Sequence, residues 1–180
     1  TLMAIEHNIF TPGNYFYNGI GHVTVDYGKV LRIGYRGIID EAKAELEKVR
    51  VSDADGCSKI AFLEAVIESC EAVITFAKRY AELARKEAES CADAKRKSEL
   101  LQIAENCSKV PENGATSFYE ACQSFWFVQL LIQTESSGHS ISPGRFDQYM
   151  YPYFIKDYES GKITMEFAQE LVDCIWIKLN

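Results

Sequence analysis

The sequence predicts a mainly α-helical polypeptide. Apolar residues recur three and four positions apart over long stretches, and strong helix formers fill the positions between them. Short polar turns separate the stretches: SDADG at 52–56, PENG at 111–114 and ESGK at 159–162. With 180 residues, 47% of them hydrophobic and 25% charged, the chain is long enough to bury one ordinary core.

From about Val23 to Arg50 the pattern is helical, with Ile38, Ile39, Ala42, Leu46 and Val49 recurring on one side. Gly28, Gly34 and Gly37 would each cost about 1 kcal/mol in a helix interior, so a break or an extended approach is expected near Gly34. Beyond SDADG, the residues Ile60, Leu63, Ile67, Cys70, Ile74, Ala77 and Ala81 mark the clearest helix. AKRKSELLQIAENCSKV forms another, closed by Pro111, and SFYEACQSFWFVQLLIQTE begins a third at Ser117. The centre of that third helix, FWFVQLLI, is apolar nearly all round. This predicts burial inside a body larger than these helices build unaided, and an exposed or self-associating apolar face in this chain alone. After it come the loop-like ESSGHSISPGR, the aromatic FDQYMYPYF, and a last helix with Phe167, Leu171, Cys174 and Lys178 on one face. The sequence stops within that helical pattern, without a capping Gly or Pro, as expected of a piece cut from something longer.

A formal charge of -7 offers no basic surface for phosphate contacts, which argues against nucleic acid and anionic membranes as partners. No apolar run reaches the roughly 20 residues needed to span a bilayer, and TLMAIEHNIF lacks the pattern of a signal peptide. The six cysteines stand singly, with no CxxC pair and no zinc-type spacing. Cys70, Cys122 and Cys174 lie among apolar neighbours and read as small core residues, which suits a reducing compartment and hence the cytoplasm. There is no glycine-rich phosphate loop, no HExxH and no GxSxG elbow.

Two of the three histidines follow glycine in loop-like stretches: Gly21-His22 in NYFYNGIGHVTVDY and Gly138-His139 in ESSGHSISPGR. A Gly-His step can present an imidazole to a cavity, because glycine lets the backbone approach a ligand closely; the competing role is satisfaction of buried backbone groups. Asn14, Thr24, Asp26, Glu135, Ser140 and Ser142 surround them in sequence. Neutral donors and acceptors of this kind suit a hydroxylated ligand, since each buried polar atom left unpaired costs about 1–3 kcal/mol. Asp26 and Glu135 are expected to cap or pair locally. Arg145 is expected to tie its own segment through Asp147, and the YMYPYF aromatics to pack.

Three blocks, YFYNGIGHVTVDYGKVLRIGYRGIIDEAK, SFYEACQSFWF and ESSGHSISPGRFDQYMYPY, together resemble consecutive stretches of the pyruvate formate-lyase-like glycyl radical enzymes. The likeness is greatest to the coenzyme-B12-independent glycerol and propanediol dehydratases, and it runs from about His7 to Asn180. It implies that residues 1–180 are an N-terminal-half part of one such domain, made of peripheral helices and loops of a ten-stranded α/β barrel. It also implies a lyase of anaerobic metabolism that removes water from a small diol: glycerol to 3-hydroxypropionaldehyde, or 1,2-propanediol to propionaldehyde.

By that resemblance His22 matches a histidine that protonates the departing hydroxyl, His139 and Ser140 match a pair that holds the polyol hydroxyls, and Asn14 matches an asparagine close to the substrate. Ser137 departs from the asparagine of the relatives, which unsettles the hydrogen bonding around His139. The GCxE-like block of the thiyl cysteine and the RVxGY-like glycyl loop have no counterpart among these residues. The chain alone is therefore expected to be inactive and to bind no cofactor. The glycyl radical would sit in a missing C-terminal part, installed by a radical-AdoMet activating enzyme without B12, in an intact enzyme that is a homodimer. Other members of the family, of the hydroxyproline dehydratase or choline lyase type, remain alternatives. So does a non-catalytic helical module that binds a partner protein.

Overall fold

The computed structural model describes residues 3, 6, 7, 21–136 and 140–179. Their order is β1 (Val23–Thr24), α1 (Tyr27–Leu46), α2 (Gly56–Ser90), α3 (Ala94–Lys109), α4 (Phe118–Ser136), β2 (Ile141–Ser142), α5 (Phe146–Glu159) and α6 (Met165–Leu179). The mainly helical class is as the sequence predicts. The two short strands are a surprise, since a two-residue strand carries no alternation that periodicity could detect.

α1 begins where the Asp26 Oδ1 accepts a hydrogen bond from the Lys29 backbone N–H at 3.0 Å, leaving fewer unpaired amides in the first turn. It breaks at Gly34, at φ 66° and ψ 177°. The 111–115 segment fills that break: Tyr35 N–H donates to the Pro111 carbonyl, Arg36 N–H to the Glu112 carbonyl and Ala115 N–H to the Leu31 carbonyl, each at 2.8 Å. A Cβ on Gly34 would lie 2.3 Å from the Glu112 carbonyl oxygen, so the two backbones meet closely only because this residue has no side chain. The break expected near Gly34 is thus a docking point for the PENG turn.

α2 buries Cys70, Ile74, Ala77, Ala81, Ala84 and Ala88, spaced alternately four and three. The small alanines let α2 pack closely against α3. Toward its N-terminus the same stripe is only half-buried at Ile60, Leu63 and Ile67, with Ile67 packed beside Ile39, Cys70 and Ile74.

α4 is the central element, packed by α1, α3, α5 and α6. Phe118, Ala121, Cys122, Phe125 and Val128 join Tyr27, Val30 and Leu31 of α1, Met150 of α5 and Ala168, Leu171 and Ile175 of α6 in the main core. Phe127 turns toward α2 and α3, against Ala77, Ala81 and Cys107. At its start, the buried Asp157 carboxylate of α5 accepts from Phe118 N–H at 2.7 Å, placing negative charge at the positive end of the helix.

Several sequence expectations need correction. The FWFVQLLI stretch is covered over half its circumference rather than left open: Phe125, Phe127, Val128 and Gln129 are buried among four neighbouring helices, whereas Trp126, Leu130, Leu131 and Ile132 stay half-buried. On α6 the inward stripe is Ala168, Leu171 and Ile175, so Cys174 and Lys178 are exposed; the predicted face was rotated by one residue. Cys174 is therefore not a core thiol, whereas Cys70, Cys107 and Cys122 are buried. The large apolar side chains that do face outward include Trp176 at 60% and Ile177 at 74% exposure, both on α6.

Glu112 adds an electrostatic latch to the docked turn, with its carboxylate 2.6 Å from both Arg36 and Lys78. Burial pushes this carboxyl up, but hydrogen bonds and charge from Arg36 and Lys78 outweigh it and hold it below the usual carboxylate range.

Gly34→Ala should lower stability by at least about 1–2 kcal/mol, the cost of a left-handed non-glycine residue with a backbone clash added, read as a lower urea midpoint. For Glu112, the unfolded chain binds the proton more readily than the folded one. The latch is therefore fully present above about pH 4.3, the ordinary glutamate value, and is lost as pH falls through the depressed folded-state value. Glu112→Gln should lower the melting temperature at about pH 7 and change it little at about pH 3; an equal effect at both would show that the latch is not ionic.

Candidate active site

β1 and β2 pair in parallel, with Val23 opposite Ile141 and Thr24 opposite Ser142. The residues that precede the two strands are His22 and Ser140, so the same register sets them side by side. Both have left-handed backbones, at φ 58° and φ 57°. Such a conformation costs a non-glycine residue about 1–2 kcal/mol, and residues held in this way cluster at functional sites. Here two occur at matching positions on paired strands, 118 residues apart in sequence by number.

Exposure divides the pair of strands cleanly. His22, Thr24, Ser140 and Ser142 are exposed, whereas Val23 is half-buried and Ile141 is buried toward α4. The outward side thus carries one imidazole and three hydroxyls, groups that donate and accept hydrogen bonds without fixed charge on the hydroxyls. Gly144, at φ 68°, closes the chain after β2. A Cβ there would lie 3.1 Å from the Thr24 Cγ2, tighter than ordinary contact.

Aromatic side chains support the strands from below. Tyr27 is 1% exposed, its ring lies 4.7 Å from Phe125 and stacks on Tyr149 at 5.7 Å, and its hydroxyl donates to the Gln129 Oε1. The Tyr149 hydroxyl donates to the Pro143 carbonyl at 2.7 Å, just past β2. Burial pushes the Tyr27 phenol up to about 12, and burial together with Tyr27 pushes the Tyr149 phenol up as well. Both remain protonated donors at neutral pH.

Of the residues singled out in the sequence, His22 and Ser140 are brought together, with Thr24 and Ser142 beside them. Asn14, His139 and Ser137 lie outside the described residues. Asp26 caps α1, and Arg145 pairs with Asp147 at 3.5 Å on the surface, a local role in each case. Sequence reasoning missed Tyr27 and Gln129; Tyr149, the first of the YMYPYF aromatics, packs as expected but also donates to Pro143. Gln129 was the available signal: an amide amid FWFVQLLI has to find a partner if that helix is buried. Among the described residues, no three His, Cys, Asp or Glu side chains gather as a metal site would require. Two apolar grooves, of about 250 and 280 Å³, lie elsewhere, against α5 and α6 and between α4 and α6.

The family model described as pyruvate formate lyase-like matches residues 1–180. The chain belongs to that family. A solved structure concerned with 1,2-propanediol dehydration in Roseburia inulinivorans superposes with a TM-score of 0.90 at 59% identity, covering 98% of this chain and 21% of that one. The glycerol-bound form of the B12-independent glycerol dehydratase from Clostridium butyricum gives a TM-score of 0.87 at 62% identity, over 93% of this chain and 21% of that one. Among curated proteins, a (2S)-3-sulfopropanediol dehydratase from Klebsiella oxytoca is 41% identical over 98% of this chain and 21% of its own length. This chain thus spans about a fifth of the length of these relatives, and its helices are part of a glycyl radical enzyme fold.

Proposed function

We propose that this chain supplies the hydroxyl-binding and proton-donating loops of a glycyl-radical dehydratase that removes water from a small vicinal diol, glycerol or 1,2-propanediol. The observation that carries this reading is the matched left-handed pair, His22 and Ser140, on the polar face of the β1–β2 ladder. The likeness to dehydratases named for propanediol, glycerol and sulfopropanediol supports the same substrate class.

In this reading His22 gives a proton to the departing hydroxyl, which leaves as water. Ser140 and His139 hold the two hydroxyls, and Asn14 completes the contact to the diol. Conversion of a diol to an aldehyde and water is redox-neutral, so these residues need only bind, orient and move a proton. The radical, stored on a glycine outside these 180 residues, supplies the hydrogen abstraction that makes the C–O bond labile. The proposed partners are a radical-AdoMet activating enzyme and a second copy of the intact enzyme, in the cytoplasm and without B12. None of the described helices is long and apolar enough to cross a membrane.

The isolated 180-residue chain, supplied with an activating enzyme, should form no aldehyde from either diol; aldehyde formation would overturn the assignment of the radical machinery to other segments. In the full-length protein, His22→Ala should lower kcat by about 10²–10⁴, because acid assistance acts in the transition state. Ser140→Ala should act mainly on KM, by about tenfold or less, since a neutral hydrogen bond contributes on the order of 1 kcal/mol in ground and transition states alike. Variants are to be compared at equal glycyl-radical content by EPR. Near-normal kcat for His22→Ala at saturating diol would remove His22 from the acid role.

A further inference from the structure

We propose that Tyr27 and Tyr149 are positioning residues: their stacked phenols fix the two strands against each other and so hold His22 and Ser140 in the left-handed pair. The inference rests on the reading above for its kinetic consequence, and on geometry alone for the placement.

Two paired residues on each side make a ladder too short to hold its own register, as even longer two-stranded pairs are marginal in water. Each strand nevertheless starts from a disfavoured left-handed residue, so something outside the ladder must over-determine it. Among the described residues, two such restraints lie just after the strands. Three residues beyond Thr24, Tyr27 is anchored in the core, where its N–H donates to the Val25 carbonyl at 2.9 Å and its hydroxyl to Gln129 of α4. One residue beyond Ser142, the Pro143 carbonyl accepts from the Tyr149 hydroxyl of α5. The two rings then stack on each other at an interplanar angle of 21°. The strand bearing His22 and the strand bearing Ser140 are thereby joined through one ring pair, and Phe125 and Phe146 pack against it.

α4 is common to both strands: it carries Gln129, the partner of Tyr27, and β2 packs against it. Because the phenols stay protonated, the arrangement does not depend on pH in the physiological range. Neither ring is needed for the chemistry itself.

The test uses Tyr27→Phe and Tyr149→Phe in the full-length enzyme, which keep ring packing and remove one hydrogen bond each. Hydrogen–deuterium exchange of the peptides covering 21–26 and 140–145 reads placement directly, without reference to turnover. Either substitution should speed exchange in both peptides and, at equal radical content, lower kcat about tenfold or more; Tyr27→Phe, which leaves the buried Gln129 Oε1 unpaired, should also lower the melting temperature, whereas Tyr149→Phe should change it less. Combined with His22→Ala, neither should lower kcat further, because each acts through His22; a merely structural role would give additive losses. Unchanged exchange in both peptides would overturn the proposal, as would additive losses, or faster exchange with normal kcat in an enzyme that His22→Ala disables. If His22→Ala itself leaves kcat intact, the acid assignment fails separately, and faster exchange would still support the tether.

Discussion

A buried side-chain amide is costly to leave without a partner, and Gln129 sits at 1% exposure within the apolar central helix. The Tyr27 hydroxyl satisfies it, which requires Tyr27 to reach α4 at that one height. Because Tyr27 opens α1 three residues past the end of β1, the bond also restrains where the preceding strand runs. Apolar packing of α1 on α4 would tolerate sliding and rotation, whereas a directional hydrogen bond between two buried groups does not. The main core and β1 are thus registered to each other through this contact, as the Tyr149–Pro143 bond registers β2.

A second constraint acts at the other end of the same surface. The break at Gly34 leaves backbone donors and acceptors of α1 without helical partners, and the Pro111–Ala115 segment meets them with three hydrogen bonds. This ties the α3–α4 connection to α1, while Lys109 and Thr116 hold the Glu120 carboxylate at the head of α4. Burial pushes that carboxyl up, and these partners bring it below the usual range. α4 is therefore located at two heights, by Glu120 and Asp157 near its start and by Gln129 past its middle.

The helices were legible in the sequence because their signals are local. The four-three spacing through Cys70, Ile74, Ala77 and Ala81, the PENG turn and the glycine at the α1 break each act within a few residues. The rotated stripe on α6 shows the limit of this. Phe167, Leu171, Cys174 and Ile175 fit two overlapping faces, and only the position of α4 selects Ile175. The extent of burial of FWFVQLLI was not legible for a similar reason, since the sequence gives a helix's apolar surface but not how many neighbours reach it; four of its residues are buried and Trp126, Leu130, Leu131 and Ile132 are half-buried. At the site, His22 and Ser140 stood out through Gly-His context and family likeness. Their adjacency did not, because it depends on a two-residue parallel pairing between segments 118 positions apart.

That pairing also explains why the candidate site tolerates strain. A left-handed histidine or serine is a conformation the chain would leave if it could, at a gain of about 1–2 kcal/mol each. Burying Ile141 beneath one strand and Tyr27 beyond the other opposes this relaxation, since turning either residue back would shift a side chain already packed in the core. The apolar side of the ladder thus carries the packing of Ile141 against α4, and the polar residues lie on the exposed side. Thr24, Ser142, His22 and Ser140 therefore stand where core packing does not dictate residue type, the division of labour on which the proposed reading of a polyol site depends.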